Sequence, residues 1–402
     1  MPNFRPALLA GAALALAACA ELAPTAPDAG VRHTPARPDL RGSFIVTVAP
    51  GSDPAAVAAR LGVSPSRIYR EALLGFSARL SPAQLRAAQA DGAVAAVEAD
   101  QVVVMQGSYA GAPWHLDRLD QRALPLNGVF GWPDPTVTVN AYVIDSGLWA
   151  GHPDFGGRAA NVWDAFGGNG TDCNGHGTHV AGTIGSTTYG VAGTFGSTTY
   201  NVSGTVAGTY SGVMLKGVRV LGCGGEGSLS DYIAAVDWVR ANAVRPAVAS
   251  MAVATGYSAA LNAAVNTLAA SGVFVAVSAG DGNGDACRVS PASAADAFTV
   301  AATGSGDVRW SGSNHGPCVD AYAPGVAVAS TWLGGGTNRL TGTSQSAGVV
   351  AGVAALYKAK FGDTGTTAID TWIRVWATQN AVTGNPPGTP NRLVYIGADA
   401  WQ

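Results

Sequence analysis

Apolar and polar positions follow two different rhythms along the chain. From residue 43, "SFIVTVA" alternates like a strand with one buried face, and "PAAVAARLG" spaces its apolar residues like a helix. "SRIYREALLGFSARL" reads as extended. "SPAQLRAAQADG" opens on a serine cap with proline at the first helical position and closes on Gly92, which predicts a second helix. "AVAAVEADQVVV" predicts the last strand. Two helices against a small antiparallel sheet predict an α+β module of the split βαβ, ferredoxin-like type over residues 42–105.

From about residue 107 strands alternate with helices, the pattern of a parallel sheet covered on both faces and hence an α/β domain over 106–402. The clearest strands are "VTVNAYVID", "VMLKGVRVL", "PAVASMAV" and "VFVAVSAG". The clearest helices are "SLSDYIAAVDWVRAN", "SAALNAAVNTLAASG" and "SQSAGVVAGVAALYKAKFG". Such sheets collect functional groups at the carboxyl ends of strands and the amino ends of helices. "GTIGSTTYGVA", "GTFGSTTYNVS" and "GTVAGTYSGVM" recur with a period of 11 across residues 182–214. They predict an inserted β-hairpin or surface loop, since three such short copies make no solenoid.

Composition narrows the classes of function. Only 12% of residues are charged and the net charge is −3, with no basic run, so no nucleic-acid partner is expected. At the amino end Arg5 precedes a short apolar run, Ala7 to Ala18, which suits an export signal over 1–18 and falls short of a membrane span. "LAAC" at 16–19 resembles the bacterial lipobox, implying cleavage before Cys19 and lipid on its thiol. Ordinary cleavage after "ACA" is the alternative. The Pro- and Ala-rich residues 19–41 predict a linker. Five cysteines are an odd number for an exported protein. Lipid on Cys19 leaves Cys173, Cys223, Cys287 and Cys318, an even set suited to an oxidising compartment. Membrane attachment is therefore expected only through a lipid anchor.

Three segments carry nucleophilic chemistry. "YVIDSG" ends a buried strand on Asp145, "NGHGTHVAG" places His176 in a glycine turn at a helix start, and "TGTSQSAG" places Ser344 at the amino end of an apolar helix. A serine hydroxyl is a weak nucleophile until an imidazole takes its proton, and the imidazole needs a carboxylate to fix its tautomer. The chain order Asp, His, Ser is that of subtilisin. The helix start at Ser344 offers a backbone N–H and a favourable dipole to a developing oxyanion. His179, His152 and His115 read as structural.

On these motifs residues 42–402 resemble a subtilase precursor of the proteinase K and aqualysin branch. Residues 42–105 resemble the family's inhibitory propeptide, "PWHLDRLDQRALPL" the start of the mature enzyme and "GTPNRLVYI" its end. The resemblance implies an exported serine endopeptidase, acting on proteins or peptides through an acyl-enzyme, self-processed near Met105 to Gly107 and inhibited by its own propeptide. It implies a monomer, no required cofactor, and bridges Cys173–Cys223 and Cys287–Cys318. Structural calcium is compatible with the resemblance, but no ligand is assignable, because Gly304 stands where the family has a ligand aspartate.

Three departures from the family pattern bear on the chemistry. Asp281 occupies the position of the oxyanion-hole asparagine, beside Gly280. Ala252, Val253 and Ala254 replace the Ser-Leu-Gly segment that pairs with substrate. Gln345, Ser346, Ala347, Gly348 and Val349 follow Ser344 in place of Met-Ala-Thr-Pro-His. These departures keep a second class of function open, a pseudoprotease that holds peptides at the cell surface. Reaction of Ser344 with a fluorophosphonate separates the two.

Overall fold

The computed structural model describes residues 40–401 except 106–113, 128–129, 131–136, 187–192, 196–197 and 201–211. The export-type segment, Cys19, nearly all of the linker and the residues following Met105 lie outside the described set.

The amino-terminal module is a four-stranded antiparallel sheet in the order Arg67–Tyr69, Gly75–Arg79, Ser43–Val48, Val94–Ala99. Helices α1 (Pro54–Arg60) and α2 (Pro82–Ala90) are started by strong local signals. The Asp53 carboxylate accepts from the amides of Ala55 and Ala56, and Ser81 forms a reciprocal capping box with Gln84. Val46, Val48, Val57, Phe76, Ala78 and Leu80 form the module's core.

The larger body is a nine-stranded sheet. Its seven long strands run parallel in the order Ala321–Pro324, Phe298–Thr303, Phe274–Ser278, Ala247–Met251, Val139–Asp145, Val213–Arg219, Ala159–Asp164. Arg392–Leu393 and Thr378–Gln379 close one edge. Side chains alternate between faces, as strand geometry requires. Val139, Ala141 and Val143 pack with α3 (His176–Gly185) and α6 (Thr343–Phe361), while Tyr142 and Ile144 pack with α4 (Leu229–Asn242) and α5 (Ala259–Ala270). A last helix, α7 (Thr366–Trp376), adds Ile369 and Ile373 to the α3–α6 side. In the insertion, Gly193–Phe195 pairs antiparallel with Thr198–Tyr200. The third repeat copy ends inside the main sheet, because Val213 and Met214 open a central strand.

The strand expected over 93–104 is two strands. Val94–Ala99 stays in the module, whereas Val102–Met105 leaves it and pairs antiparallel with Val253–Gly256 on one side and Glu226–Ser228 on the other. The break comes at Asp100, whose carboxylate accepts from the Ser230 amide (2.9 Å) and hydroxyl (2.6 Å) at the start of α4. Sequence periodicity runs straight through this point, because the partner that turns the chain lies 130 residues away.

Other contacts seat the module on α4 and α5. The Glu98 carboxylate accepts from Ser258 Oγ (2.6 Å) and the Ala260 amide (3.1 Å) at the start of α5. Asp237 on α4 accepts from the amides of Arg70, Glu71 and Ala72 (3.2, 2.7 and 2.6 Å). Arg67 pairs with Asp231 at 2.6 Å.

Candidate active site

Asp145 ends the central strand Val139–Asp145 and is fully buried. His176 is the first residue of α3, and its Nδ1 lies 2.9 Å from both Asp145 carboxylate oxygens. A proton on Nδ1 serves this contact. The preceding Gly175 has φ +107, and a Cβ there would stand 2.5 Å from the Trp332 ring, so only glycine fits the turn. Ser344 is the second residue of α6, fully buried, and its hydroxyl donates to the Ala252 carbonyl at 2.8 Å.

Ala252 lies beside Ser344 and leads into Val253–Gly256, a strand of a small antiparallel sheet. The chain's own Val102–Met105 is an inner strand of that sheet: Val104 stands opposite Ala254 and Glu226, and Met105 opposite Val253. Backbone pairing on both edges is how an extended peptide is held regardless of its side chains.

Asp281 answers to the start of α6. Its Oδ1 accepts from the Thr343 amide (2.9 Å) and the Thr343 hydroxyl (2.6 Å), while Oδ2 is buried with no hydrogen-bond partner. Burial pushes the Asp281 carboxyl above its ordinary value, against the lowering effect of the two Thr343 bonds and of nearby His176. Gly280 (φ +98) donates its amide to Thr343 Oγ1 at 3.0 Å.

His179, His152 and His115 have structural surroundings. His179 Nε2 meets the Val328 carbonyl at 3.0 Å, and burial pulls the imidazole down to about 3, so it stays neutral. His152 Nε2 meets the Gly336 carbonyl at 2.8 Å, and His115 is fully buried. Cys173 is bonded to Cys223 and Cys287 to Cys318. Each bridge is expected to contribute roughly 2–4 kcal/mol if unstrained. Among the described residues no group of three or more His, Cys, Asp or Glu side chains converges to hold a metal ion. No described helix is long and apolar enough to cross a membrane.

Several residues of the site carry no motif of their own. Ser146 and Thr343 sit inside the quoted motifs and Asp172 just before one, yet Ser146 and Asp172 accept backbone amides beside His176 and the Thr343 hydroxyl accepts the Gly280 amide beside Asp281. Asp100 and Glu98 lie within the segment expected to form one strand, and the fold turns both into caps. Their partners are distant in sequence, so periodicity carries no trace of them.

A mostly parallel sheet with helices on both faces is the architecture of the subtilisin-like serine endopeptidases. The chain belongs to the Subtilase family, whose sequence profile matches residues 138–395. Over 338 residues it is 41% identical to the extracellular serine proteinase of Thermus sp. strain Rt41A, a match covering 83% of this chain and 78% of that protein. It is 40% identical over 340 residues to the alkaline serine protease ver112 of Corniculantispora psalliotae, covering 83% and 84% of the two chains. The crystal structure of a cold-adapted subtilisin-like serine proteinase superposes with a TM-score of 0.64 at 41% identity, covering 72% of this chain and all of that one. The protein is a subtilisin-like serine endopeptidase.

Proposed function

We propose that the enzyme is exported, hydrolyses peptide bonds through a triad of Asp145, His176 and Ser344, and is made as a precursor that cuts and inhibits itself. The buried Asp145–His176 pair, with its 2.9 Å contacts, carries this reading. An imidazole so held has one free role for its second nitrogen, to take and return a proton.

In the reaction the Ser344 hydroxyl turns from the Ala252 carbonyl and passes its proton to His176 as Oγ attacks the scissile carbonyl carbon. The imidazolium then protonates the leaving amine, and an acyl-enzyme forms. A water molecule, deprotonated by His176, attacks the ester and releases the acid. Asp145 holds the imidazole and offsets its transient charge.

The backbone N–H of Ser344 and the side chain of Asp281 face the developing oxyanion. An ionised carboxylate has no donor and repels that charge, so Asp281 acts as its acid form. With two donors already on Oδ1, the proton of that form belongs on Oδ2; burial raises the carboxyl from its ordinary value, the direction this form requires. Activity then requires Asp281 protonated and His176 neutral, a narrow bell on the acid side of an alkaline optimum.

Residues 42–105 act as the propeptide. The pairing of Val102–Met105 between Val253–Gly256 and Glu226–Ser228 supports a product-like, inhibitory tail, with self-cleavage between Met105 and Gly107. Export with lipid on Cys19 holds the enzyme at the cell envelope. The Thermus relative is extracellular by its description, in keeping with export. The direct test is fluorophosphonate labelling of the mature protein beside Ser344→Ala. Stoichiometric labelling of the parent alone supports the triad, and an inert parent refutes it.

A further inference from the structure

We propose that Asp172, working with Ser146, is a positioning residue that holds His176 in register with Asp145. The inference rests on the triad reading above. Asp172 is 1% exposed and accepts five hydrogen bonds. Oδ1 takes Ser146 Oγ, the Asn174 amide and the Gly175 amide, each at 2.9 Å. Oδ2 takes the Thr178 amide (3.0 Å) and the Thr178 hydroxyl (2.5 Å).

These donors bracket the catalytic histidine. Asn174 and Gly175 precede it, Thr178 follows it, and Ser146 Oγ accepts the Gly177 amide at 2.9 Å. On the other side, the Ser146 amide donates to Asp145 Oδ1 at 2.7 Å. One buried carboxylate and one hydroxyl therefore join the segment bearing Asp145 to the backbone on both sides of His176. The two segments are 31 residues apart in sequence, and the Trp149 amide on Thr178 Oγ1 (2.9 Å) and the Asp172 amide on the Leu148 carbonyl (3.2 Å) add to the same seam. Gly177 allows the approach, since a Cβ there would stand 2.3 Å from the Gly147 carbonyl.

The chemistry demands a carboxylate. Ionised Asp offers about four acceptor sites and no donor, whereas an asparagine has one acceptor oxygen and an NH2 that donates. In Asp172→Asn that NH2 must face either Asn174 and Gly175 or the Thr178 amide, donor against donor. Half of the frame opens whichever way the amide turns.

The test has two arms. In the active enzyme, with rates taken per folded molecule, Asp172→Asn should lower kcat about 10²-fold, the scale of a 1 Å misplacement, with KM unchanged. Fluorophosphonate labelling should slow in step. Ser146→Ala should show a smaller fall of the same kind, and the double variant no more loss than Asp172→Asn. In the uncut Ser344→Ala precursor, where Ser344 chemistry plays no part, the low-field NMR signal of the imidazole proton between His176 and Asp145 should broaden or vanish in either variant. Unchanged kcat together with an unchanged proton signal, however far melting falls, would overturn the proposal. If Asp172→Asn does not fold, Ser146→Ala decides alone. An inert parent enzyme sinks the triad reading instead, and the NMR arm still decides the positioning pair.

Discussion

Four helices of the main body begin at places that matter, and they begin in two different ways. Helices α4 and α5 start on Ser228 and Ser258, whose hydroxyls accept the amides of Asp231 and Leu261 three residues on. Asp100 and Glu98 from the amino-terminal module add second caps to the same two helices. Helices α3 and α6, which carry His176 and Ser344, start on Gly175 and Gly342 with no side-chain cap from either glycine. The His176 amide goes to Asn174 and the Thr178 amide to Asp172, both in the turn just before α3, whereas Gly177 donates to Ser146 and Thr343 to Asp281 from other elements. Where a helix start only packs, its cap is written beside it. Where a helix start bears a candidate catalytic residue, glycine stands at the cap position and side chains of neighbouring segments take the first amides. That arrangement ties the proposed catalytic residues to neighbouring segments through the fold.

The difference can be broken first at the nucleophile. Ser344→Ala should lower peptide hydrolysis on the order of 10⁶-fold and leave the precursor uncut when made in a host without other proteases. Gel analysis and labelling read both effects, and normal maturation of the variant would assign the cut to another protease.

Asp281 tests the α6 start next. Asp281→Asn supplies a permanent donor, so kcat at pH 8 should rise at least about tenfold and the pH optimum should move upward, within the 10²–10³-fold worth of one such donor in subtilisin. The sign follows from the raised Asp281 value: the donating acid form is lost as pH rises through it. An unchanged or lower rate in a folded, processed variant would remove Asp281 from the oxyanion site.

At the α4 start the expected effect falls on stability alone. Asp100→Ala should destabilise the Ser344→Ala precursor by about 1 kcal/mol in denaturant melts, the scale of one lost helix cap. Mature enzyme processed from the Asp100→Ala precursor should keep its kcat. A change in kcat would blur the distinction between the two kinds of start.

Glu98 sharpens the α5 side. Burial, working against its bonds to Ser258 and Ala260, raises its carboxyl above the ordinary value. Its contribution is therefore full below about pH 4 and is lost as pH rises through the raised value. Melting of the Glu98→Gln precursor relative to its parent should improve steadily from about pH 4 to pH 7. A constant difference would show that Glu98 is not the titrating group.

The smallest effect is expected at the far end of α3. Deleting residues 193–203, one repeat length, shortens a connection between α3 and Val213–Arg219 and should change stability by less than about 0.6 kcal/mol. Loss of cleavage of small peptides in that variant would tie the insertion to the site.

Much of this was legible along the chain. Alternation and helical spacing marked both bodies, and "SPAQLRAAQ" announced α2 with its capping box, since those signals act within a few residues. Asp145, His176 and Ser344 could be singled out because a strand end, a glycine turn and a helix start are local features. Only the folded chain decided that "AVAAVEADQVVV" breaks at Asp100, that Val102–Met105 becomes the strand between Val253–Gly256 and Glu226–Ser228, and that Asp281 closes on Thr343. Only the fold turned Asp172 from a spacer in "DCNGHGTH" into the acceptor of five hydrogen bonds. Periodicity records which face of an element is apolar. It carries no record of which distant donor a buried carboxylate will meet, because that pairing is set by the long-range packing of the sheet and its helices.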